Sequence, residues 1–213
     1  MTKVLGFDTS DAHCGAALFA DGDVIAAAYE DMTRGQAERL FPMLEEVLNQ
    51  GGLTWADLDA IGTGTGPGNF TGIRISVSAA RGLALSLGIP AVGVSLFDAL
   101  AEEAELPALL PLHAPRDALY TQLRTPDQTG DIAIATLDAL PACPPGTRAI
   151  GARSDDVASQ TGLARTPAKY APASAIARIA ARRFATETER PTPLYIRPAD
   201  AAPPSAAPVK ILP

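Results

Sequence analysis

The spacing of apolar positions changes period several times in the first hundred residues. Residues 3–8, "KVLGFD", form an apolar run of strand length. The runs 13–20 and 23–30 follow, parted by Asp21-Gly22, a strong hairpin signal. Three strands in succession predict a meander. Ala37, Leu40, Leu44 and Val47 then recur at offsets of three and four, and Gly51-Gly52 closes the pattern. That spacing predicts a helix over 34–50, which Pro42 should bend or mark as a contact. Thr54 and Asp57 have the spacing of a capping box. "LDAIGTGTG" reads as a fourth strand entering a glycine-rich loop. A second helix is predicted over 71–87, stopped by Gly88 and Pro90, then a strand over 91–95 and a third helix over 95–105 capped by Ser95.

Later signals are weaker. "ALLPLHA" and "ALYTQLR" read as strands, "SDDVASQTG" and "SAIARIAARRFATE" as helices, and "LPACPPGT" as a loop. The pattern predicts an N-terminal lobe over 1–106, a smaller lobe over 107–198, and a Pro/Ala-rich tail over 199–213 without regular structure. At 213 residues, 47% apolar and 19% charged, the chain is long enough to bury a core. Its net charge of −7 argues against binding nucleic acid alone, since phosphate contacts need clustered Lys and Arg. Neither a signal peptide nor a membrane span is expected, which leads to the expectation of a cytoplasmic protein. Two distant cysteines, Cys14 and Cys143, make neither a metal motif nor a disulfide framework.

The stretch "GTGPGNFTGIR" carries four glycines directly before the apolar run of the second helix. It lacks the lysine of a Walker loop, and the dinucleotide pattern G-x-G-x-x-G fails at every register. An anion site built from Gly66, Gly68, Thr71 and Arg74 remains open, with Asp8 in "GFDTS" as a metal-coordinating or turn-capping residue. The alternative is that the glycines let the loop pass close to neighbouring backbone. On the second helix, Ile73, Val77, Ala80, Ala84 and Leu87 share one face, while Ile75, Ala79, Gly82 and Ser86 lie nearly opposite. That second, small-residue face is covered either by helix 34–50 or by a partner. His13 and His113 have no second ligand nearby, Cys14 reads as core, and Glu45-Glu46 and Glu102-Glu103 read as solvated helix faces. No catalytic constellation emerges.

The segments "VLGFDTS…GAALF", "GPGNFTGIRISVSAARGLALSLGIPAVGVS" and "PLYIR" resemble the TsaB (YeaZ) family of the tRNA threonylcarbamoyladenosine machinery. Asn69 stands where the family usually has serine, and Gln36 where it often has histidine. The resemblance implies an α/β fold like actin, Hsp70 and sugar kinases (ribonuclease H-like), with a complete first lobe and a reduced second one. It implies a non-catalytic subunit that pairs with the catalytic homologue TsaD for threonylcarbamoyl transfer to the adenosine beside the anticodon. TsaC then supplies threonylcarbamoyl-AMP, TsaE joins the assembled pair, and a homodimer forms when the chain is alone. The contact is implied to be the two long helices, with Gln36, Leu40 and Met43 on the first and Ile75, Ala79, Gly82 and Ser86 on the second. ATP or ADP and metal are implied on the partners, tRNA contact only indirectly. Two metal-binding histidines of the catalytic homologue match Leu96 and Leu100 here, and a D-x-G-G phosphate hairpin is missing from the second half. A small ATP-dependent phosphotransferase using Asp8 and the loop Gly66–Thr71 is the alternative.

Overall fold

The computed structural model describes residues 2–187 and 189–196; the tail 199–213 lies outside the described residues. The first half runs β1 (Val4–Asp8), β2 (His13–Ala20), β3 (Asp23–Asp31), α1 (Gln36–Gln50), β4 (Ala60–Gly64), α2 (Phe70–Leu87), β5 (Ala91–Val94) and α3 (Leu96–Ala101). Its strands form one sheet in the order β3-β2-β1-β4-β5. β1 pairs antiparallel with β2 and parallel with β4, so the meander passes directly into crossover units. Asp21 and Gly22, at φ 56° and 91°, make the tight turn of the β2–β3 hairpin with both residues left-handed, as a twist-matched two-residue loop requires.

The second half builds another sheet from β6 (Ala108–His113), β7 (Leu119–Arg124), β8 (Ala133–Ala135), β9 (Arg148–Ala149) and β10 (Ala164–Arg165), ordered β10-β9-β6-β7-β8. α4 (Ser154–Thr161) packs against it, and α5 (Pro172–Arg183) follows. The last three strands are too short to leave a period in the sequence and go unpredicted there.

Two apolar layers sandwich the first sheet. Leu5, Phe7, Ile61 and Leu18 face Leu40, Met43, Leu44 and Val47 of α1 and Ala80 of α2. On the other face Val4, Ala60, Val92 and Val94 meet Ile176, Ile179 and Ala180 of α5. α5 thus comes from the second half of the chain yet packs on the first sheet, so the lobe expected over 107–198 is not one packing unit. Its approach is close because β1 carries Gly6. A Cβ there would lie 2.6 Å from the Ala177 nitrogen and 2.8 Å from the Ala173 carbonyl oxygen.

α5 is also held by charge. Arg182 grips Glu102 through both guanidinium nitrogens at 2.6 and 2.7 Å, and Arg183 reaches Asp98 at 3.3 Å. Glu102 is 7% exposed, which corrects its expected place on a solvated helix face. α3 ends at Ala101, earlier than its apolar pattern predicts, because Glu102 turns away to meet α5 and Glu103 takes φ 53°. α1 begins at Gln36 because Gly35 before it is left-handed, at φ 89°. Pro42 lies on the exposed side of α1, where water can reach the carbonyl that its ring leaves unbonded, and the helix continues through it.

Candidate functional site

The glycine loop is filled by the chain's own β1–β2 turn. The backbone N–H of Asn69 donates to the Ser10 carbonyl at 2.6 Å, and the Thr9 hydroxyl donates to the Gly72 carbonyl at 2.7 Å. A Cβ at Gly68 or Gly72 would sit 2.0 Å from the carbonyl oxygen of Ser10 or Thr9. The glycines therefore serve close passage of backbone, the second of the two readings left open by the sequence. At the head of α2 the Asn69 side chain accepts from the backbone N–H groups of Thr71 (2.9 Å) and Gly72 (3.0 Å), so these donors have a partner within the chain.

Asp8 is fully buried at the end of β1. Its Oδ2 accepts from the Ser10 hydroxyl at 2.9 Å and lies 2.8 Å from His13 Nε2, an ion-pair contact whose geometry is not that of an in-line hydrogen bond. Oδ1 points at Gly64, where a Cβ would come within 1.9 Å. His13 stacks on Tyr29 with ring centroids 5.2 Å apart. Burial works to lower the His13 pKa, but the Asp8 carboxylate, with help from Asp11 and Asp31, outweighs it and leaves the pKa raised above 6.5. Through Oδ2 the carboxylate ties Ser10 and His13 together and locks the β1–β2 turn, while Oδ1 is buried without a hydrogen-bond partner among the described residues.

Leu96 is buried beneath the second sheet, and Leu100 packs against the same cluster. Neither position offers a metal a donor atom. Among the described residues no group of three or more His, Cys, Asp and Glu side chains is placed to hold a metal ion. Among them, too, no helix is long and apolar enough to cross a membrane.

The outer side of α1 and α2 is open. A groove of about 580 Å³ runs between them, lined by Ala37, Phe41, Ile75, Ala79, Gly82 and Ser86. Phe41 is 46% exposed, and a Cβ at Gly82 would meet nothing within 4 Å. Ile75 and Ala79 pack partly against the core cluster, so α1 covers the small-residue face of α2 only in part. The expected contact residues divide accordingly. Gly82 and Ser86 are exposed and Ile75 and Ala79 half-buried. Leu40, at 1% exposure, lies at the floor of the groove and also packs into the core, while Met43, at 0%, belongs to the core alone, because α1 turns its apolar stripe to the sheet. Gln36 is half-buried and donates to the Met32 carbonyl at 3.0 Å.

One cluster beside this groove escaped the sequence reading. Phe70 and Tyr195 stack at 5.1 Å, Arg74 lies 3.8 Å over the Phe70 ring, and its Nε donates to the Tyr195 hydroxyl at 2.9 Å. The partners are 121 residues apart, and only the shared motif "PLYIR" hinted at Tyr195.

The family described as TsaD, tRNA N6-adenosine threonylcarbamoyltransferase, matches residues 30–190, about three quarters of the chain. The tRNA threonylcarbamoyladenosine biosynthesis protein TsaB of Escherichia coli K12 is 38% identical over 102 residues, 48% of this chain and 44% of that protein. YeaZ from Pseudomonas aeruginosa superposes with a TM-score of 0.76 at 27% identity, over 92% of this chain and all of that one. The chain belongs to this family, in its TsaB (YeaZ) branch. An uncharacterized protein of Mycobacterium tuberculosis H37Rv is 30% identical over 206 residues, 95% of each chain. By contrast, the match to the Escherichia coli TsaB spans less than half the length of that relative. The component A of (R)-2-hydroxyglutaryl-CoA dehydratase from Acidaminococcus fermentans, at 9% identity and a TM-score of 0.59, shares the fold over 87% of this chain and all of that one. The fold is the expected actin-like, sugar-kinase-like α/β architecture.

Proposed function

We propose that the chain acts in tRNA threonylcarbamoyladenosine biosynthesis as a non-catalytic subunit that docks the catalytic homologue TsaD through its α1–α2 face. The observation that carries this reading is the open apolar groove beside Phe41 and Gly82. Small residues there admit the close approach of a second helix pair, and the half-exposed Phe41 ring beside them leaves apolar surface for it to cover. The names of the TsaB relatives supply the process. The self-filled glycine loop and the inward-facing Asp8 support a role without chemistry of its own, with nucleotide and metal handled by the partners. TsaC then acts upstream, TsaE joins the assembled pair, and tRNA is reached through the partners. Without TsaD, the same face pairs two copies of this chain.

Light scattering on the chain mixed with its TsaD counterpart tests this. Complex formation that Gly82→Glu or Ala79→Glu abolishes, with folding intact, is the expected result. A chain that stays monomeric with TsaD present overturns the reading. So does calorimetric binding and turnover of ATP by the isolated chain with Mg²⁺.

A further inference from the structure

Arg74 differs from most arginines of this chain in what it lacks. Arg39, Arg124 and Arg182 each hold a carboxylate at 2.6–2.7 Å. Arg74 is exposed, and among the described residues its side chain makes one hydrogen bond, from Nε to the Tyr195 hydroxyl. Its two Nη groups are left with four N–H donors and no acceptor among the described residues. The guanidinium is nonetheless held in a defined plane, over Phe70 at 3.8 Å and against the Tyr195 hydroxyl at 2.9 Å. The backbone beneath is also fixed, because Leu194 N–H donates to the Thr65 carbonyl at 2.8 Å and ties the Tyr195 segment to the end of β4.

We propose that Phe70, Arg74 and Tyr195 form a preorganised anchor that receives a carboxylate from the protein partner. This rests on the docking role proposed above and extends that face beyond the groove. Arg74 lies one helical turn before Ser78, which lines the groove, so anchor and groove are continuous along α2. A planar fork with its rotamer already set binds a carboxylate through two parallel hydrogen bonds and loses little further freedom in doing so. Phe70 and Tyr195 remain 41% and 44% exposed, leaving apolar area around the ion pair for a partner to cover. Arginine and aromatic side chains are the types that dominate binding energy at protein interfaces. A phosphate would satisfy the same fork. The chain's net charge of −7 repels a polyanionic nucleic-acid backbone more strongly than it repels a single carboxylate.

The test is the affinity of the full chain for its TsaD counterpart, measured by calorimetry alongside the melting temperature of each variant. Arg74→Ala should weaken pairing roughly thirtyfold or more, the range of an interface anchor, at unchanged melting temperature. Arg74→Lys should recover only part of this, since an ammonium keeps the charge and loses the fork. Tyr195→Phe, which keeps the ring and removes the hydroxyl, should weaken pairing severalfold and serves as the readout if Arg74→Ala fails to fold. Wild-type affinity should fall with added salt more steeply than that of Arg74→Ala. If Gly82→Glu abolishes pairing while Arg74→Ala and Tyr195→Phe bind as wild type, the anchor is refuted and the docking role stands. If none of the three changes pairing, both fall. Normal pairing of Arg74→Ala with loss of tRNA binding by the assembled complex would assign the fork to a phosphate and refute the carboxylate.

Discussion

α5 and α2 lie on opposite faces of the first sheet, and both rely on small residues. On α5, Ala173, Ala177 and Ala180 press onto a sheet surface that Gly6 and Gly62 keep low, and all three alanines are buried. On α2, the buried face meets the core through Ile73, Val77 and Ala80, while Gly82 and Ser86 lie open above the groove. Small side chains therefore serve two ends here. In the first they seal a helix against its own sheet; in the second they leave an open groove at the surface.

The largest effect should come from filling the sealed contact. Gly6→Leu places side-chain atoms where the α5 backbone already stands, and neither backbone can yield cheaply. Overpacking of this kind costs about 3 kcal/mol, which for a domain of this size lowers the melting temperature by roughly 6–12 °C. A scan of the purified variant checks it. A Gly6→Leu chain as stable as wild type would mean that α5 does not rest on β1.

Next comes the turn that fills the glycine loop. His13→Phe keeps the ring stacked near Tyr29 but removes the cation beside the buried Asp8, at a cost of about 2 kcal/mol. The pH dependence gives the sign. The folded pKa of His13 is raised above 6.5, so the protonated ring stabilises the fold fully below 6.5, and that contribution is lost as pH climbs through the raised value. Denaturant unfolding of the wild type should therefore show stability declining above pH 6.5, and the decline should be shallower in His13→Phe. Equal slopes would detach the Asp8 contact from stability.

A smaller effect is expected at the head of α2. Asn69→Ala removes the acceptor for two backbone N–H groups and should cost about 1 kcal/mol, whereas Asn69→Ser should recover most of it. If alanine were tolerated as well as serine, the β1–β2 turn alone would be positioning the helix.

Much of this contrast was legible in the sequence, and the limit is instructive. α1, α2 and the meander declare themselves through period, and Thr54–Asp57 and Ser95 through cap spacing. Their information is local. Which stripe of α1 meets the sheet is also periodic, yet Met43 was expected at the contact and lies in the core, because a resemblance says which helices meet a partner and not which side of each. The return of α5 to the first sheet, the Glu102–Arg182 pair and the Phe70–Arg74–Tyr195 stack depend on contacts 80 or more residues apart. No window of sequence holds both members of such a contact.

The finest test of the contrast is Gly82→Ala. Inside a helix glycine costs roughly 1 kcal/mol relative to alanine, because it must give up more backbone freedom on folding. At Gly6 no such gain is available, since the added carbon would meet backbone. At Gly82 the space is empty, so the alanine variant should be more stable than wild type by several tenths of a kcal/mol to about 1 kcal/mol, read as a rise in the denaturation midpoint. Its affinity for TsaD should change only slightly, in contrast to the loss expected of glutamate, because a methyl group still allows two helices to approach. A drop in stability would mean that the outer side of α2 is already occupied by this chain, and the two helices would then differ in degree and not in purpose.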